Sequence, residues 1–145
     1  MNLTEIRTKL VRSTRDKLRA YATITLDDSL VIRDLKVIEG AKGPFVAMPS
    51  RKLQERCSGC GTKNHVRARF CNECGARQHH RIPSDEAAAR VRLYADIAHP
   101  IHQRSRDEIQ DHVLRAYGDE LHRSRQHGYV GATFDGLDYD VLAGS

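Results

Sequence analysis

Tryptophan is missing from the chain, aromatic residues make up only 6% of its 145 positions, and cysteine and proline occur four times each. No apolar run approaches the roughly 18 residues that a membrane-crossing helix requires, which excludes a helical integral membrane protein. An apolar export segment is likewise missing from Met1–Arg7, so the chain reads as cytoplasmic with no membrane partner. The marks of catalysis are missing too. No nucleophile–base pair, phosphate-binding glycine loop or open metal site stands out, and an enzyme is not expected. The last eighteen residues hold no lysine or arginine but three aspartates and four glycines, which predicts an acidic, flexible tail over 128–145.

What is present is the composition of a soluble globular protein, 39% hydrophobic and 30% charged, with a formal net charge of +5. The length suits one modest core and a small additional module. Residues 1–56 carry 12 Lys/Arg against 7 Asp/Glu, and residues 57–83 carry 5 against 1. Such an excess favours polyanions through counterion release, or simply keeps a protein in solution.

All four cysteines fall in two matching C-x-x-C-G turns, Cys57–Gly61 and Cys71–Gly75, with ten residues between Cys60 and Cys71. Each turn sets two sulfurs on one side of a tight bend, and the glycine supplies the positive φ that closes it. Two facing turns give four thiolates in a tetrahedron, which Zn²⁺ accepts at roughly 2.3 Å. Two disulfides would need an oxidising compartment, and a redox pair would need one C-x-x-C in a βαβ setting. Iron in a rubredoxin-like site shares the geometry and stays open as an alternative. The expectation is one structural zinc ion held by Cys57, Cys60, Cys71 and Cys74, with no position left for substrate.

Around these turns Lys63, His65, Arg67, Arg69 and Arg77 are spaced as on a strand, on a module too small to hide them. They predict a basic face. Phe70 is read as packing on the zinc turns, with base stacking the alternative. His79 and His80 read as solvent-facing.

Elsewhere Leu18, Ala20, Ala22, Ile24 and Leu26 alternate as in a half-buried strand. A hairpin turn at Asp27-Asp28-Ser29 leads to a second β-rich run through Ile38, and a short strand, Phe45–Met48, stops at Pro49. Leu3–Arg12 fits strand or short helix. A helical turn is expected near Ser84–Ala89, and a strand over Val91–Ile97. Ser105-x-x-Glu108 matches a capping box, and Ile109, Val113, Tyr117 and Leu121 then lay one apolar stripe along a helix. Gly118 predicts fraying beyond it.

With the cysteine segment set aside, YATITL (Tyr21–Leu26), VIRDLKVI (Val31–Ile38), GPFVAMPS (Gly43–Ser50) and ADIAHPIHQRSRDEIQDHVL (Ala95–Leu114) resemble the stage V sporulation protein G (SpoVG) family. The most specific signatures are FVAMPS from Phe45, D-I-x-H-P-I from Asp96 and I-Q-D-x-V-L from Ile109, within a match over residues 2–50 and 91–117. The resemblance implies an α+β fold, a small antiparallel sheet with a C-terminal helix packed on it, forming a homodimer. On that basis the chain divides into a core of residues 1–50 and 91–127, a zinc-ribbon insertion between two strands over 51–90, and the tail. It further implies a bacterial cytoplasmic regulator that binds DNA or RNA, linked in relatives to sporulation and septation. A basic pair at the start of the helix contacts nucleic acid in the family. Its arginine falls on Arg106, its lysine position holds Glu108, and Arg104 is an additional base. The candidate nucleic-acid contacts are therefore Arg104, Arg106, Lys63, Arg67, Arg69 and Arg77. The alternative is an adaptor whose ribbon docks on a partner protein.

Overall fold

The structure, a computed structural model, describes residues 1–12, 16–79 and 93–131. The expected helical turn near Ser84–Ala89 and the tail beyond residue 131 lie outside the described residues. The fold is α+β. Four strands, β1 (Leu3–Leu10), β2 (Leu18–Leu26), β3 (Leu30–Gly40) and β4 (Gly43–Ala47), form an antiparallel sheet in chain order, and a helix, α1 (Gln103–Ser124), packs on it. Between β4 and α1 the chain builds two short ribbons and the cysteine turns. Chain contacts separate two compact units, Met1–Pro49 with Ala98–Ser145, and Ser50–Ile97. None of the helices in the described residues is long and apolar enough to cross a membrane.

The first unit owes its core to the alternation in β2. Ala20, Ala22 and Ile24 are fully buried and meet Leu35, Val37, Val46, Ile109 and Val113. The N-terminal segment is a strand, and its uneven pattern has a local cause. Leu3 pairs with Leu26 and Glu5 with Thr25, leaving Thr4 as an extra residue in a bulge. The bulge returns Leu3 to the face that Ile6, Thr8 and Leu10 share. In β3 a similar shift between the Ala22–Leu35 and Ile24–Ile32 pairs coincides with Asp34 at φ 63°, in the left-handed region that Asp tolerates.

The β2–β3 turn is tight. Asp27 and Asp28 take φ values of 50° and 51°, and the Ser29 amide donates to the Leu26 carbonyl at 2.9 Å. Two successive positive φ angles match the right-handed twist of the strands they join. At the sheet edge the Gln110 side-chain oxygen accepts from the Val46 amide at 3.4 Å, tying α1 to β4.

Helix α1 departs from the expected start. Its N-cap is His102, in extended conformation and without a side-chain cap bond, and Ser105 lies inside the first turn. The Arg106 amide already donates to the His102 carbonyl at 3.0 Å, so the helix begins a few residues before the amides a capping box would serve. Nor does the helix stop at Gly118. It continues to Ser124 because the stripe extends by one more inward position, Glu120, at i+7 from Val113.

Candidate metal centre and basic face

The second unit is assembled from short pieces. Strand β5 (Ser50–Lys52) pairs with β8 (Tyr94–Asp96), which lies within the strand expected over Val91–Ile97 but is shorter, since Leu93 and Ile97 fall outside it. The Leu53 amide extends that ribbon to the Leu93 carbonyl at 2.8 Å. Strands β6 (Gln54–Arg56) and β7 (Lys63–His65) form a hairpin whose loop is the first cysteine turn. A shorter ladder, closed by the Phe70–Arg77 bridge and the Gln78 amide on the Arg69 carbonyl at 2.8 Å, carries the second.

The two turns are near copies of one another. In the first, the Cys57 amide donates to Thr62 at 2.8 Å and the Gly61 amide to Cys57 at 2.9 Å; in the second, Cys71 donates to Ala76 at 2.8 Å and Gly75 to Cys71 at 3.1 Å. Gly61 and Gly75 take φ values of 77° and 76°, as the C-x-x-C-G pattern requires.

These turns bring the four sulfurs together. All four lie within 4.8 Å of one another, with Cys57–Cys74 at 3.7 Å and Cys60–Cys71 at 3.5 Å. None is in a disulfide. A tetrahedron with metal–sulfur distances near 2.3 Å has sulfurs about 3.8 Å apart, so this donor set fits a thiolate-bound ion. Cys57 and Cys71 are buried, while Cys60 and Cys74 are exposed.

Backbone and side-chain donors support the thiolate form. The Gly59 amide and Gln78 Nε2 each point at Cys57 Sγ at 3.4 Å; the Glu73 and Cys74 amides reach Cys71 Sγ at 3.4 and 3.5 Å. The Cys74 amide, with Asn64 and the Glu73 amide behind it, holds the Cys71 thiol down to about 6. Cys57 is lowered by the Cys60 amide and by Gln78. For Cys74 the Ala76 amide pulls down but is outweighed by Cys57, Cys60 and Cys71, whose thiols push it up to about 11. Four clustered sulfurs without a cation resist full ionisation.

Two residues that bind the site together were not anticipated. Asn64, 5% exposed, accepts from the Asn72 amide at 2.9 Å and donates to the Thr62 carbonyl at 3.3 Å, clipping one turn to the other. Gln78 reaches Cys57 and also donates to the Ala76 carbonyl at 2.8 Å. Their signal in the sequence was only proximity to the cysteines; such outer-shell partners orient ligands and tune an ion.

The basic residues are displayed as follows. Lys63, Arg67, Arg69 and Arg77 are all exposed on this unit, and Arg104 and Arg106 are exposed in the first turn of α1, beside the half-buried Glu108. The strand-like spacing does not persist, because β7 ends at His65 and the chain turns through Val66 and Arg67. Contrary to expectation, Phe70 does not pack on the cysteine turns but projects from them. It is 61% exposed and lines an open depression of about 430 Å³ with Arg69, Arg77 and Gln78. The cysteine turns close on their own backbone and amide–sulfur bonds, in which the Phe70 side chain takes no part. His79 is exposed and outside the sulfur cluster, while His80 lies outside the described residues.

The sequence model of the family described as SpoVG matches residues 1–119. A relative from Lachnospira eligens, named as a septation protein SpoVG, is 37% identical over 117 residues, covering 81% of this chain and 91% of its own. One of the same name from Myxococcus xanthus is 34% identical over 135 residues, covering 93% and 98%. A third, from Staphylococcus carnosus, is 34% identical over 119 residues, covering 82% and 77%.

Proposed function

The chain belongs to the SpoVG family, and from that premise we propose that it is a cytoplasmic regulatory protein that binds DNA or RNA, a binding protein and not an enzyme. The septation role named in the relatives is the cellular process to which we assign it. One zinc ion, held by Cys57, Cys60, Cys71 and Cys74, fixes the two turns and so presents a second basic surface besides Arg104 and Arg106. With four protein ligands, the ion supplies folding energy to a segment that has little apolar core of its own.

The observation that carries the reading is the display of Lys63, Arg67, Arg69 and Arg77. All four side chains are exposed on the sulfur-clustered unit, and residues 57–83 contain one carboxylate against five bases. Guanidinium and ammonium groups so arranged bind phosphates, with affinity that falls steeply with salt. Gel shifts with short DNA and RNA probes across a salt series test it. A salt-sensitive complex at micromolar protein is expected. Arg67→Ala with Arg69→Ala weakens it across sequences, lowering the salt slope by about 1 for each phosphate no longer neutralised. No complex at any salt concentration defeats the reading. Self-association as a homodimer, which family membership supports, is measured by sedimentation.

Tyr94 and Ile97, 50% and 66% exposed in the same unit, favour a second reading, an adaptor that docks on a partner protein. A defined complex that survives nuclease treatment distinguishes it.

A further inference from the structure

Building on the nucleic-acid reading and narrowing it, we infer that the Arg69–Phe70–Arg77 face is a stacking platform for the unpaired bases of single-stranded nucleic acid. Phe70 is the residue before the ligand Cys71, and its backbone bridges to Arg77 in the ladder that carries the second cysteine turn. An aromatic ring that is 61% exposed therefore stands on a braced element and not on a loose loop. Gln78, in the same depression, is tied to Cys57 Sγ, so the sulfur cluster and the face are held by shared residues.

Charge selects the class of ligand. Arg69 and Arg77 line the depression beside the ring, both exposed and neither in an ion pair with a described residue. A ring flanked by two guanidinium groups complements a base flanked by its phosphates. In a duplex the base faces are already stacked on one another, and an isolated ring gains little from them. An unpaired strand offers free π-faces to an exposed aromatic side chain. Single strands of RNA and of DNA share this chemistry, and the 2′-hydroxyl is what separates them.

The absence of tryptophan supplies a direct test. In the full-length zinc-loaded protein, Phe70→Trp introduces the sole indole, whose emission is quenched when a base stacks on it. Oligouridylate, oligothymidylate and a blunt duplex of equal length are titrated, with affinity followed by the polarisation of a label on the probe. The platform predicts quenching by one or both single strands and none by the duplex. It also predicts that Phe70→Ala, with its zinc content intact, loses about ten-fold in single-strand affinity and keeps its duplex affinity. The stronger of the two single-strand responses identifies RNA or DNA as the source. Unchanged indole emission at saturating single strand overturns the platform while leaving the regulator reading standing. Equal losses on single strand and duplex do the same. Failure to bind any of the three probes overturns both, and quenching by a polyglutamate peptide as strong as that by the strands makes the face a protein-docking surface instead.

Discussion

Glu120 is a carboxylate on an otherwise apolar stripe, 4% exposed, and two neighbours make that burial tolerable. The Tyr129 hydroxyl donates to one of its oxygens and the Arg123 guanidinium to the other. Around it Ile6, Arg7, Thr8, Ala116 and Asp119 line a groove of about 360 Å³. Replacing Tyr129 by Phe leaves a buried acceptor short of a donor, and chemical denaturation is expected to show a loss of about 1–2 kcal/mol. The hydrogen bond to Glu120 raises the Tyr129 pKa above its ordinary value of 10.0. A group whose folded pKa is raised stabilises fully below the unfolded value and loses that contribution as pH climbs through the folded one. Alkaline unfolding should therefore begin at lower pH in Tyr129→Phe, the two proteins converging once the tyrosine is ionised. At the sulfur cluster the corresponding residue is Gln78. Gln78→Ala is expected to weaken zinc by about 10- to 100-fold in a chelator competition, without removing any ligand.

Among the elements, α1 shows where local rules stop deciding. Gly118 in its interior costs helix propensity, yet the helix runs on to Ser124 because the inward positions on either side of the glycine are occupied. A Cβ at Gly118 would meet nothing within 4 Å. Gly118→Ala should accordingly raise stability by about 0.5–1 kcal/mol, seen as a higher thermal midpoint. The cysteine turns respond in the opposite sense. Gly75 has as much empty space around its Cβ position, but its φ of 76° is closed to ordinary side chains. Gly75→Ala should cost about 1–2 kcal/mol in that turn, read as weaker zinc retention, while the thermal midpoint of the sheet stays unchanged.

At the scale of the whole molecule, the two units have different sources of stability. The sheet and α1 bury a shared apolar cluster; among the described residues of the cysteine unit the buried apolar side chains are Cys57, Cys71 and Leu93. Chelation is expected to expose the amides of residues 57–78 to hydrogen exchange and to leave β1–β4 and α1 protected. Global loss of protection would show that the units fold as one. Acid should act like the chelator. Coordination needs all four thiolates, and in the ion-free cluster Cys74 keeps its proton up to about 11. Zinc uptake at neutral pH therefore releases protons, detectable with an indicator dye, and lowering the pH drives the reaction backwards.

The α+β class was legible through the family resemblance; by itself the local sequence determined the clustering of the four cysteines, the positive-φ glycines, the β2 alternation and the hairpin at Asp27–Ser29. Each of these four is local: a spacing of a few residues sets which atoms meet, whatever the rest of the chain does. Tertiary structure decided what depends on distant partners. The bulge at Thr4 exists because β1 must match β2, and the helix start at Gln103 is set by backbone bonding that begins before Ser105. Glu120 is buried only because Tyr129 and Arg123 come to it. The exposure of Phe70 belongs to the same group, since a phenylalanine beside a cysteine turn packs or projects according to whether the fold leaves an apolar surface for it. Here the amide–sulfur network closes the turn without it, and the ring is left facing outward between two arginines.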